Sequence, residues 1–337
     1  MKDCCPLPPS RVRYAKGFSL IELMISLTIG LIMMAVVFYA YFGSLTAGRI
    51  AEAQGRMNED AQAALSLLTQ QLRMAGNNPT QPDRTENSRR NPVYNLYDAA
   101  TFVNVPTTVY PSSFSIRGCD DSFNNIISAT RLDALVCATG TGYSPNSIAV
   151  SYEADIFNSV PTALKAPTDC LGSALASTQV TFPAENPPGP YFYSVADNRF
   201  YIDVSTANIP SLYCKGNGEG GTAKPLVENI EDLQFSYGVV KASTVAGDLE
   251  TASISGYLRA HEIMTNSTLA ALPDDSARWA KVVAVRICVV ARSEARVATD
   301  LISARYMKCD GNIEMSPLDL RLRRAYTTTV ALRNRRL

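Results

Sequence analysis

No proline occurs between Phe18 and Ala75, and the first part of that stretch, residues 18–42, is apolar on every side. Such a run reads as one helix. It would extend roughly 85 Å at 1.5 Å per residue, well beyond the ~20 residues that cross a bilayer. Its second half turns amphipathic: Met57, Ala61, Leu65, Leu68 and Leu72 recur at steps of three or four, and Arg56, Asn58, Glu59, Gln62, Gln70 and Arg73 take the wetter side. That stripe predicts burial against a folded domain rather than against lipid. Gly76-Asn77-Asn78-Pro79 ends the pattern. Gly43, Gly48 and Gly55 are weak points within it, each costing about 1 kcal/mol against alanine.

One acid, Glu22, stands inside the apolar run. A charged side chain at the middle of a bilayer helix costs about 2.5–3.5 kcal/mol on insertion scales, and such residues usually serve a partner. Cutting after Gly17 would create an ammonium on Phe18, four residues before Glu22, and supply that partner within one helix or between neighbours. The preceding segment carries Lys2, Arg11, Arg13 and Lys16 against Asp3, which holds the N-terminus cytoplasmic and sends the rest outward. An ordinary secretory signal also joins a basic start to an apolar core. Here the core is longer than usual, and the strong processing signal lies before it.

The basic leader, Gly17-Phe18-Ser19-Leu20-Ile21-Glu22-Leu23 and the apolar helix together resemble the class III signal of type IV prepilins and pseudopilins. The resemblance implies that a prepilin peptidase cuts after Gly17 and methylates Phe18, and that Glu22 pairs with a neighbour's N-terminus during assembly. A second resemblance lies in the C-terminal half. Val227-Glu228-Asn229-Ile230-Glu231-Asp232-Leu233-Gln234-Phe235-Ser236-Tyr237-Gly238 is similar to a stretch of PilW-type minor pilins. So are the segment from Trp279 to Arg286 and the ending from Arg323 to Arg335. Residues 79–225 are mostly unmatched, and J-type pseudopilins of type II secretion share several of these features.

The 337 residues, 46% hydrophobic and 18% charged, fit a folded chain with room for one large domain or two small ones. Basic and acidic residues balance at 31 each, so nothing suggests nucleic-acid binding. Short alternating runs at 148–152, 199–204, 233–240, 282–291 and 326–332 predict mainly β structure. In the fourth, Val283, Val285, Ile287 and Val289 share one face and Ala284, Arg286 and Cys288 the other, as in a central strand with both faces at least partly covered. Residues 79–100, 183–190 and 215–222 read as loops.

Of eight cysteines, Cys4 and Cys5 fall in the leader. The other six, Cys119, Cys137, Cys170, Cys214, Cys288 and Cys309, form an even set in an exported domain and read as disulfides. Fifteen connectivities are open; we expect nearest neighbours, 119 with 137, 170 with 214 and 288 with 309. Zinc is the rival, but there is no close Cys-x-x-Cys pair and His261 is the one histidine.

No catalytic constellation stands out. His261-Glu262 lacks the second histidine of a metalloprotease helix, and no nucleophile elbow lies near it. Residues 216–221 lack the Lys-Ser/Thr of a phosphate loop; a turn is the default reading, with weak calcium binding through Asn217 and Glu219 the alternative. The pairs Asp120-Asp121 and Asp274-Asp275 read as solvated. Arg321, Arg323, Arg324, Arg333, Arg335 and Arg336 crowd the C-terminus, as a charged strand edge that deters aggregation or as a site for an acidic partner.

The expected fold class is α+β and type IV pilin-like, a long N-terminal helix on a mainly antiparallel β domain. The expected divisions are a leader at 1–17, a transmembrane and filament-core helix at 18–42, its amphipathic continuation at 43–78 and an exported β-rich domain at 79–337. No cofactor or metal is expected. The resemblance implies a minor pilin precursor, a substrate of processing enzymes rather than an enzyme. It would sit in the inner membrane with its β domain periplasmic, then in a priming or tip complex that supports pilus assembly, twitching motility and adhesion. Its implied partners are the prepilin peptidase, other minor pilins, the major pilin and a pilus-tip adhesin. The alternatives are a J-type pseudopilin and a membrane-anchored exported binding module.

Overall fold

The computed structural model describes residues 17–79, 114–129, 131–139, 145–181, 190–205, 207–240, 253–267, 269, 272 and 275–334. The expected leader as far as residue 16, the polar loop from 80 to 100, residues 183–189, Asp274, Arg335 and Arg336 lie outside them. One helix, α1 (Leu20–Met74), covers almost the whole proline-free stretch. It ends where Gly76 takes a φ of 70° and the Gly76 amide donates to Ser151 O at 2.9 Å, because glycine enters the left-handed region without steric cost.

The chain divides into two compact units, Met1–Glu52 and Ala53–Leu337. In the first, every described residue through Arg49 is exposed, and this part of α1 is long and apolar enough to cross a membrane. In the second, Met57, Ala61, Ala64, Leu65, Leu68 and Leu72 are all buried in the core, which is the stripe read from the sequence.

The second unit is built of antiparallel strands in chain order: β1 (Ile116–Cys119), β2 (Ser147–Glu153), β3 (Thr178–Thr181), β4 (Pro190–Tyr193), β5 (Val195–Val204), β6 (Pro210–Lys215), β7 (Lys224–Glu228), β8 (Ile230–Val240), β9 (Ile254–Leu258), β10 (Val282–Arg296), β11 (Tyr306–Met307), β12 (Ile313–Glu314) and β13 (Arg321–Ala331). One sheet runs β1-β2-β5-β6-β7, and a second runs β13-β10-β8-β9. Two short helices, α2 (Ala260–Thr265) and α3 (Asp275–Ala280), separate β9 from β10. Strand β10 is central, as its two-faced pattern predicted. Val285 faces Val330 and Tyr237, and Ile287 faces Thr328 and Phe235, so its branched side chains enter the core between aromatic and branched neighbours.

Strand β5 begins four residues earlier than the alternating pattern suggested, because its polar start is satisfied internally. Arg199 donates from Nε and Nη2 to Asp197 at 3.0 and 2.8 Å, and from Nη1 to the carbonyls of Ile126 and Ala129 at 2.7 Å. Both side chains are 3% exposed. Asn198 donates to Gln71 Oε1 at 2.8 Å and accepts from the Cys170 amide at 3.0 Å, tying α1 to this sheet. Cys119–Cys137, Cys170–Cys214 and Cys288–Cys309 are paired with Cα atoms 5.5, 6.6 and 5.8 Å apart, the nearest-neighbour arrangement among the fifteen.

Candidate functional site

At the N-terminus of α1, the Ser19 amide donates to Glu22 Oε2 at 3.0 Å and the Glu22 amide donates to Ser19 Oγ at 3.2 Å. This is a capping box, which satisfies two of the helix's orphan donors. The Ser-x-x-Glu spacing carried the signal, and sequence reasoning missed it by treating Glu22 only as a charge. Gly17 and Phe18 lie just outside the helix and are exposed. A Cβ added at Gly17 would meet nothing within 4 Å.

The C-terminal arginines are more committed than a solvated edge. Strand β13 is the edge of its sheet, yet the Arg323 side chain is 5% exposed and clamped between acids. It donates from Nε and Nη2 to Glu231 at 2.5 and 3.0 Å, and from Nη1 to Asp319 at 2.7 Å. Arg292 reaches Glu231 at 3.3 Å and Arg321 reaches Asp319 at 3.3 Å. Burial pushes Arg323 down, but the two carboxylates outweigh it and hold the guanidinium well above its ordinary value. Three arginines and two acids, from β8, β10, β13 and the residues just before β13, therefore form one network. Arg324 lies 5.6 Å from the Tyr326 ring, and Arg333 is exposed.

Asp120 is likewise not a solvated acid, which corrects the sequence reading. Its carboxylate accepts from the amides of Ala260 and His261 at 2.9 and 3.0 Å and also meets His261 Nδ1. It thus caps α2 and holds the histidine ring. Asp121 is buried as well, while Asp275 meets Arg278 at 3.5 Å on the surface. In the loop after β6, Asn217 Oδ1 accepts from the Asp197 amide at 2.9 Å and Asn217 Nδ2 donates to Val195 O at 2.9 Å. The oxygen offered to calcium is spent on the backbone. Among the described residues, no three His, Cys, Asp or Glu side chains gather to hold a metal.

Comparisons with known families agree with this layout. Residues 12–38 match the prokaryotic N-terminal methylation motif. With an exposed apolar helix behind that motif and an antiparallel β unit beyond, the chain has the form of a membrane-anchored type IV pilin precursor. Residues 199–334 match the model of type IV pilus-assembly protein W. The two matches together are consistent with a PilW-type minor pilin. The matched segment holds all of the second sheet, whereas β1 to β4 lie outside it. Neither the curated proteins nor the solved structures include a match.

Proposed function

We propose that this chain is a minor pilin precursor whose leader is removed after Gly17, whose new N-terminus at Phe18 is methylated, and whose Glu22 meets a neighbouring subunit's ammonium during assembly. Its apolar helix, residues 18–42, holds the subunit in the inner membrane with the β domain outside, then packs in the filament core. Residues 43–78 continue the helix, and 79–337 form the exported domain. The protein joins other minor pilins and the major pilin in a priming or tip complex, with a tip adhesin as neighbour. In that place it supports pilus assembly, twitching motility and adhesion.

The observation that carries this reading is the methylation motif and the PilW match on a single chain, joined by a helix whose first part buries nothing in the subunit itself. Apolar surface left bare over that length needs lipid or other helices to cover it. The test is mass spectrometry of sheared pili: the mature chain should begin at a methylated Phe18. Because space around Gly17 is open, Gly17→Leu should fold normally and accumulate as uncleaved precursor in the membrane. Normal maturation of that variant, or an intact leader in pili, overturns the processing scheme.

A further inference from the structure

A strand at the edge of a sheet exposes a row of unpaired amides and carbonyls, and proteins ordinarily blunt that row with short strands, proline, bulges or charge. Of the edges of the two larger sheets, three are blunted or weakened in this way. Strand β1 has four residues and includes Gly118, β7 has five and includes Pro225, and β9 has five and includes Gly256. The remaining edge, β13, has eleven residues. Residues 325–332 contain no charge, proline or glycine, and the pairing of β13 with β10 runs from Arg323 to Ala331 without a bulge.

One hydrogen bond sets the direction of the free groups on this edge. The Leu332 amide donates to Val283 O at 2.8 Å, so Leu332 and Val283 stand opposite as a bonded pair. Bonded and non-bonded pairs alternate along an antiparallel ladder. Val330, Thr328, Tyr326 and Arg324 therefore bond to β10, while the amides and carbonyls of Ala331, Thr329, Thr327 and Ala325 point outward. None of these outward groups has a hydrogen-bond partner among the described residues. Their side chains are small, and Thr327, Thr329 and Ala331 are exposed, which leaves room for a neighbouring strand. The β11–β12 hairpin meets β13 at its start, where Arg323 lies 5.8 Å from the Tyr306 ring.

Two cations bracket the uncharged row. Arg324 and Arg333 are exposed, and among the described residues neither forms an ion pair, whereas Arg321 and Arg323 are spent on Asp319 and Glu231. We propose that the free edge of β13 docks an extended segment of another protein, which adds as an antiparallel strand of about eight residues with acids at both ends. Its main chain bonds to Ala325, Thr327, Thr329 and Ala331, and its terminal carboxylates face Arg324 and Arg333. A second copy of this chain does not fit. Two antiparallel copies paired about Thr328 would set Arg333 of each beside Arg323 and Arg324 of the other, and like charges across strands destabilise a sheet. Docking at this edge goes beyond the proposed function and is measured without any pilus.

The probe is a labelled, end-capped peptide, Glu-Glu-Val-Thr-Val-Thr-Val-Thr-Val-Glu-Glu, titrated into the full chain in detergent micelles. Its fluorescence anisotropy should rise saturably, and amide exchange at Ala325, Thr327, Thr329 and Ala331 should slow by about tenfold or more. Proline in place of the peptide's central threonine keeps the charge, removes a donor and should abolish binding. A lysine-flanked version should bind about tenfold more weakly. The double variant Arg324→Glu with Arg333→Glu should reverse that preference, a rescue that a misfolded domain cannot give. Thr329→Pro should remove binding with far-ultraviolet circular dichroism unchanged, because the lost N–H faces outward and the ladder to β10 is kept. The proposal is overturned by absent binding, by equal binding of the proline peptide, by exchange protection elsewhere than this edge, or by an unchanged preference in the double variant. Concentration-dependent protection of the same amides without peptide would overturn it in favour of self-pairing. None of these outcomes bears on cleavage or methylation at Phe18, so the two readings fail separately.

Discussion

Glu22 has a partner before any neighbour arrives, because it caps its own helix through Ser19. Charge and capping can be separated: glutamine also serves in a capping box but carries no charge to pair with an ammonium. Glu22→Gln should therefore insert and mature normally while its recovery in sheared pili, read by immunoblot, falls by about tenfold or more, since an ammonium left unpaired in an apolar setting is penalised. Undiminished recovery would reduce the acid to its capping role. Gly118 offers a second test at this scale. A Cβ there would overlap the Tyr237 hydroxyl, so Gly118→Ala should destabilise the domain by about 1–3 kcal/mol through overpacking. Tyr237→Phe alone should be close to neutral, because the lost hydroxyl has no partner, and adding it to Gly118→Ala should recover part of the loss in chemical denaturation. No recovery would mean that ring atoms rather than the hydroxyl set the clash.

Among elements, the seam between α1 and the first sheet depends on Gln71. Its side-chain oxygen accepts from Asn198 at 2.8 Å and from the Tyr152 hydroxyl at 3.5 Å, and burial pushes the Tyr152 phenol up to about 12. Gln71→Ala would leave both donors buried without this acceptor, at a cost of about 1–3 kcal/mol measurable as a lower denaturation midpoint. An unchanged midpoint would show that water replaces the amide. The helix itself was legible because its signals are local: a proline-free run, steps of three and four, and a glycine stop. Strand β10 was legible for the same reason. The start of β5 was not, since Asp197-Asn198 lacks strand character until Arg199, Cys170 and Gln71 bring the groups that satisfy it. Strands β1, β6 and β7 were missed because they are short and take their stability from neighbours along the sheet.

At the scale of the whole molecule, the acids and arginines around Glu231 hold the end of the chain onto the second sheet. Burial raises the Asp319 carboxyl, but hydrogen bonds from Arg323 and Arg321 outweigh it and leave the group below its ordinary value. A depressed folded value means that this contribution is present above the unfolded value, about 3.9 for aspartate, and is lost as pH falls through the folded one. Acid titration should show stability declining below that range, and Asp319→Asn should flatten the decline; an identical profile would remove Asp319 from the network's pH response. The long apolar helix, its amphipathic continuation and the antiparallel β class were readable from residue order, because periodicity and composition act between neighbours in the chain. Only tertiary structure selected the expected nearest-neighbour pairing from the fifteen open to six cysteines, spent Asp120 on a histidine 141 residues away and enclosed the Arg323 side chain. Contacts of that kind depend on which surfaces the sheets bring together, and local pattern carries no record of it.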